Sequence, residues 1–192
     1  MNAHPFARAA VFSILCAAVG AIAACGGGAK PAASPAGGLD TSSLPPSAKA
    51  ETRSDPAFAT CHNAFKPASN DKDVAADVAA MAQACADTTK MKKVADTLKG
   101  DLSEKGKPVT FPLSARAGKC YRVYGMSQST MQDFDIVIID SSNALVAQDT
   151  TDDVSPVIVE DGKVCFKVAD SCTIRASAGA GAGSFALEVW SD

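Results

Sequence analysis

The chain has 192 residues, enough for one or two domains. Its 18 basic and 21 acidic residues give a formal net charge of −3, a balance that speaks against a nucleic-acid partner because neutralising phosphates needs a basic face. With two histidines in all, the inventory is also poor in general bases and zinc ligands.

Arg8 gives the N-terminus a positive start, and Ala9 to Ala24 is an uncharged, small and apolar run of 16 residues. That is shorter than the roughly 20 residues a membrane span needs and has the character of a signal-peptide core. The run ends at Ile22-Ala23-Ala24-Cys25. This tetrad resembles the bacterial lipobox, which implies a signal peptide over 1–24, cleavage before Cys25 and acylation of its sulfur by palmitate-type chains. Each buried CH₂ of such a chain is worth about 0.8 kcal/mol, so several chains on one Cys make a stable anchor. Export takes Arg8 and His4 away, leaving 17 basic residues against 21 acidic and His62 as the mature chain's histidine. Residues 25–55 are dominated by Gly, Pro, Ala and Ser, too poor in large apolar side chains to offset ordering entropy, and are expected to form a disordered tether.

Order is expected from Asp55-Pro56, an N-cap acid followed by proline at the first helical position. Phe58, Cys61 and Phe65 fall on one helical face that Pro67 ends, and a second helix after Ser69-Asn70-Asp71 aligns Val74, Val78, Met81 and Cys85. Facing each other, the two helices bring Cys61 and Cys85 together as a disulfide-closed α-helical hairpin over 56–93, a staple that export permits and a small unit needs. A reduced Cys61 beside His62 is the alternative, a thiol-dependent enzyme or oxidoreductase. Otherwise His62 is expected as an exposed helix residue, and no CxxCH, Walker A, GxSxG or HExxH motif occurs.

From Lys107 the period changes to short apolar segments separated by turns. Eight strands are predicted: Val109 to Leu113, Tyr121 to Tyr124, Phe134 to Ile139, Leu145 to Ala147, Val157 to Val159, Val164 to Val168, Thr173 to Ala176 and Phe185 to Trp190. Turns are expected at Ala117-Gly118-Lys119, Ser141-Ser142-Asn143, Asp161-Gly162 and the Gly-Ala run from Ala178 to Gly183. In the last strand Phe185, Leu187 and Val189 share the core face, leaving Glu188 and Trp190 on the other.

Several features are similar to the bacterial pre-peptidase C-terminal β-sandwich: the Ala-Gly turn leading into a Tyr strand, the Asp-x-Asp of Asp133 and Asp135 before an apolar strand, the later acid Asp149, and a closing apolar strand after Gly-rich residues. The resemblance implies a non-catalytic, jelly-roll-like module of exported proteins over 94–192. Cys120 and Cys165 stand outside that pattern. They begin the Tyr and Phe166 strands, which suggests an inter-strand bridge; a Cys165–Cys172 bridge is the alternative to a buried free thiol at Cys172.

Between Val123 and Gly162 there is no Lys or Arg, while Asp133, Asp135, Asp140, Asp149, Asp152, Asp153, Glu160 and Asp161 are acidic. Such oxygen-rich loops suit a hard cation, and calcium on Asp133, Asp135, Asp149, Asp152 and Asp153 is the one cofactor to consider; modules of the resembled kind sometimes carry such sites. The competing reading is a solvated face that steers a cationic partner. Taken together, the expectation is an α+β protein in which a helical hairpin precedes an antiparallel β-sandwich. It is not expected to be an enzyme, but a binding or accessory module of the cell envelope, held to a bacterial membrane by lipid and presented at the outer membrane or surface to a protein or envelope polymer.

Overall fold

In the computed structural model, residues 39–65 and 71–192 are described. The expected signal peptide, Cys25 and the first part of the expected tether, residues 25–38, lie outside them. The described chain forms ten strands: β1 (Ala50–Ser54), β2 (Lys92–Lys93), β3 (Leu98–Leu102), β4 (Val109–Ala115), β5 (Cys120–Ser127), β6 (Met131–Ile139), β7 (Leu145–Gln148), β8 (Gly162–Phe166), β9 (Asp170–Gly181) and β10 (Gly183–Ser191). Three helices interrupt them, α1 (Pro56–Ala64), α2 (Val74–Ala84) and α3 (Ala86–Thr89). One sheet runs β1-β8-β5-β10-β2, with β3 also on β10; the other runs β4-β9-β6-β7; and the strand pairs are antiparallel.

The sandwich core lies between the sheets. Phe134, Ile136 and Ile138 of β6 meet Phe185, Leu187 and Val189 of β10, joined by Tyr121, Val123, Phe166 and Ile174. At the crossing, Gly125 leaves room for the opposite sheet: a Cβ there would lie 2.5 Å from Ile136 Cδ1. The other face of β5 and β10 is not bare. Tyr124, Met126, Ala186 and Trp190 form a second core with Phe58, Val78, Met81 and Cys85 from the helical segment. Central strands covered on both faces read as near-continuous apolar runs, as in Phe185-Ala186-Leu187 of β10. The result is three layers: helices, six-stranded sheet and four-stranded sheet.

This arrangement corrects the expected division at residue 94. The helices do not form a hairpin domain of their own; they share a core with the sheet, and the described residues belong to one compact unit. The start of α1 is as expected, with Asp55 Oδ1 accepting the Phe58 N–H at 3.2 Å and Pro56 in the first turn. The second helix, expected after Asp71, runs from Val74 and is capped by Asp73. The disulfides Cys61–Cys85 and Cys120–Cys165 are formed, the second between residues directly opposite on β5 and β8, and Cys172 is a buried free thiol.

Four further expectations change. Ala50–Ser54, placed in the disordered tether, pairs along β8, and Pro46 already bridges to Leu145. Its sequence AETRS buries Ala50 alone, so its order comes from backbone pairing at a sheet edge and not from apolar side chains. The predicted strand Val157 to Val159 is a crossing between sheets, touching β5 through the Tyr124–Val157 bridge and plugging the core with Ile158. The Gly-Ala run is strand up to Gly181, because its small residues lie opposite the carboxylates of β6; Ala182 alone separates β9 from β10. His62 is half-buried and stacked on Phe58, with ring centroids 5.2 Å apart.

Candidate functional site

Asp133 and Asp135 both lie on β6, with a register shift on either side of Asp133. Opposite them β9 offers Ser177, Ala178, Gly179 and Ala180. The missing side chain of Gly179 is what makes room for the acids: a Cβ there would collide with Asp133 Oδ2 and lie 3.1 Å from Asp135 Oδ2. Ser177 Oγ lies 3.4 Å from Asp135 Oδ2, and the Leu39 N–H also donates to Asp135. Asp149, just past β7, continues the ladder: its N–H donates to the Ile136 carbonyl at 3.1 Å, and its Oδ2 accepts the Ile136 N–H at 2.6 Å. The Asp153 carbonyl then accepts the Phe134 N–H at 3.0 Å before the chain crosses to the other sheet.

These contacts place Asp133, Asp135, Asp149, Asp152 and Asp153 within electrostatic reach of one another. Burial first, then Asp135, Asp152 and Asp153, push the Asp133 carboxyl up to about 6. Burial also raises Asp149 to about 7, against the Ile136 bond and with Asp135 and Asp153 adding to the rise. Asp135 is raised by burial against the Ser177 bond. Asp133 and Asp149 are only 5% and 8% exposed, so the expected solvated face is in part a buried carboxylate cluster. Asp140 belongs elsewhere: it holds the β6–β7 turn by accepting the Ser142 and Ala144 N–H groups and the Ser47 hydroxyl. The Asp161 carbonyl accepts the Asp55 N–H at the start of α1.

Two buried polar atoms among the described residues have no hydrogen-bond partner, Asp133 Oδ1 and Thr151 Oγ1. Thr151 lies in the same acid-bearing loop, and its N–H donates to Asp149. A buried orphan oxygen costs desolvation without compensation and points to a missing donor, water or ion. As a test of the calcium expectation the geometry is mixed. The available donors are all hard oxygens, as calcium prefers. Yet no group of three or more His, Cys, Asp or Glu residues is disposed around one point to hold a metal among the described residues. Calcium would need the loop to close or a further donor from outside.

Thr151, Ser177 and Gly179 were not legible as parts of this site. The signal for Ser177 and Gly179 was the run of small residues in β9, which reads as a turn until it is set opposite Asp-x-Asp in register; Thr151 carried none. At the other candidate centre, Cys61 is bonded to Cys85 and cannot serve as a thiolate. Burial lowers the His62 pKa, opposed by Glu160 and Asp153. Burial pushes the Cys172 thiol up to about 12, Asp170 adding to the effect, so it is inert. Two disulfides mark an exported, extracytoplasmic protein. No described helix is long and apolar enough to cross a membrane.

No family model and no curated protein sequence matches the chain. Solved structures similar to it include the pre-peptidase C-terminal domain of collagenase from Bacillus anthracis, with TM-score 0.37 and 14% identity over 50% of this chain and 89% of that one. Another is PliG of Aeromonas hydrophila, a periplasmic inhibitor of g-type lysozyme, with TM-score 0.35 and 16% identity over 50% of this chain and 84% of that one.

Proposed function

We propose that the protein is a non-catalytic, lipid-anchored envelope module that engages a cationic partner through the carboxylate cluster of β6 and the 149–153 loop. The observation that carries this reading is the pair of orphan oxygens, Asp133 Oδ1 and Thr151 Oγ1, buried beside four further carboxylates. Keeping such groups together weakens the free protein, and a cationic or hydrogen-bond-donating group from outside offsets that cost on binding. The partner is a protein or envelope polymer presenting lysine, arginine or amine groups. Anchoring rests on the lipobox-like Ile22-Ala23-Ala24-Cys25, with Cys25 as the acylated residue and the outer membrane or cell surface as its site.

A second reading places calcium in the cluster, favoured by the same orphan oxygens and the all-oxygen donor set. Since no three carboxylates converge, the partner or the loop would complete the ion's shell.

The test is affinity capture from envelope fractions by the purified protein, with and without calcium, beside Asp133→Asn and Asp135→Asn. Capture of a basic protein or amine-bearing polymer that both variants lose supports the reading. Capture unchanged by both variants removes the cluster from any binding role. In cells, Cys25→Ser is expected to release the protein from the membrane fraction; retention there with a different mature N-terminus overturns the anchor.

A further inference from the structure

The sandwich is open along one edge. Between β4 and the connection from β2 to β3 lies a cavity of about 450 Å³ whose walls include the core residues Leu113, Tyr121 and Val189 and the half-buried Leu98. Small-molecule sites span roughly 300 to 1,000 Å³ and combine an apolar lining with a few placed polar groups. Val94 lines the cavity and is 51% exposed, one of two large apolar side chains so exposed among the described residues. Its N–H is fixed to the Val189 carbonyl at 2.9 Å, so the exposure belongs to an ordered connection tied to β10.

The polar groups are donors. Arg116 lines the cavity, is exposed, and makes no ion pair among the described residues. The Tyr121 ring is held edge-on against Phe166, and its hydroxyl oxygen accepts the Arg116 N–H at 2.9 Å. That bond uses an oxygen lone pair and leaves the phenolic proton to donate. Ser114 adds a hydroxyl to the lining, and no carboxylate lines the cavity.

We infer that this cavity binds an amphiphilic carboxylate, its head held by Arg116 and the Tyr121 hydroxyl and its aliphatic body lying on Leu98, Leu113 and Val189. Guanidinium and carboxylate match in charge and in forked geometry. A peptide added as a strand to the edge of β4 is the competing occupant. Pro112 sits in the middle of that strand without an N–H to give, as prolines of exposed edges do, which opposes strand addition. The site is separate from the carboxylate cluster and does not depend on its role.

Isothermal titration of the purified protein with decanoate, decanol and decyltrimethylammonium tests the assignment, all below their micellar concentrations. Decanoate is expected to bind at one site, decanol more weakly and decyltrimethylammonium more weakly still. Arg116→Gln should weaken decanoate at least tenfold and leave decanol unchanged, Tyr121→Phe should weaken decanoate by a smaller factor, and Ala95→Trp at the exposed rim should block both. Since Arg116 and Ala95 are exposed, these variants should keep the parent melting temperature. No saturable binding of decanoate, equal binding of the cationic amphiphile, or full affinity in Arg116→Gln overturns the proposal.

Discussion

Arg122 sits over the ring of Phe58, its guanidinium carbon 3.3 Å from the ring centroid, and it is wholly buried. The same group donates to the Gly162 carbonyl at 3.0 and 2.7 Å and pairs with Asp55 at 3.1 Å. One side chain of β5 thus fastens the first turn of α1, the start of β8 and the sheet between them. Burying a guanidinium is costly, and it is tolerated because Nε and Nη2 reach oxygen acceptors and Nη1 faces the Met91 sulfur at 3.5 Å. Arg122→Ala would leave the Asp55 carboxylate without its cation, and a loss on the order of 3 kcal/mol is expected in chemical denaturation. Arg122→Lys keeps the charge without the fork and should fall between parent and Ala. Parent-like stability in the Lys variant would mean that geometry at this site is unimportant.

The Cys61–Cys85 bond joins α1 to the end of α2 across a sequence separation of 24. For a loop of that size the chain-entropy model gives about 3.5 kcal/mol, and the shared core means that the loss is felt by the whole fold. Paired Cys61→Ser and Cys85→Ser substitutions should lower the midpoint of a single cooperative transition. Two separate transitions would mean that helices and sandwich fold independently.

The bond could be anticipated because helical periodicity puts Phe58 and Cys61 on one face and Val78, Met81 and Cys85 on another, and both faces are buried. What periodicity did not reveal was the surface they bury against, since Tyr124, Met126 and Trp190 look like ordinary strand residues until both faces of β5 and β10 are covered. Strands rich in aromatic and β-branched residues, such as Phe134 to Ile139, were legible. β1 was not, because Glu51, Thr52, Arg53 and Ser54 contribute backbone pairing and exposed charge and no large apolar side chain. The carboxylate cluster was legible residue by residue, but its burial was not: that depends on the absent Cβ of Gly179, which only the β6–β9 register puts beside Asp133.

Residues 39–54 are therefore expected to matter for stability. They supply β1, the Lys49–Asp170 ion pair at 3.0 Å and the Ser47–Asp140 hydrogen bond at 2.6 Å. At about 1 kcal/mol per hydrogen bond, a chain beginning at Asp55 should lose on the order of 3 kcal/mol relative to one beginning at Leu39. It should also aggregate more readily, because the edge of β8 is uncovered. Equal midpoints and equal solubility would restore the tether reading for these residues.

The pH dependence follows from opposed groups. Asp133 and Asp149 have folded values near 6 and 7, above the ordinary carboxylate value of 3.8, so the folded state holds their protons more tightly. Their contribution is fully present below about pH 4 and is lost as pH climbs through 6 and 7. Asp140 runs the other way: against burial, the bonds from Ser47, Ala144 and Ser142 hold it low, and its stabilisation is lost as pH falls below about 4. His62, lowered by burial, also favours the folded state above its ordinary 6.5. The clean readout is a difference between proteins. Asp133→Asn should raise the melting temperature at pH 7.5, and its advantage should shrink toward zero near pH 4. An advantage independent of pH would trace to packing and not to charge.

Calcium provides the sharpest test of what the cluster is for. A ligand that binds only the folded state raises stability by RT ln(1 + [L]/Kd), about 2.7 kcal/mol at a hundredfold excess over Kd, whereas general screening responds to ionic strength alone. If the second reading holds and calcium occupies the cluster, millimolar calcium raises the melting temperature of the purified protein more than sodium chloride of matched ionic strength. Asp135→Asn should remove the difference, and Thr151→Val should reduce it, because both change oxygens of the cluster while leaving the sandwich core untouched. Asp133→Asn should already be stabilised without calcium and gain nothing from it, so the parent protein should approach the variant as calcium is added. Equal shifts for the two salts would exclude the ion and leave the orphan oxygens to a basic group of a partner, where loss of capture by Asp133→Asn and Asp135→Asn becomes the deciding result.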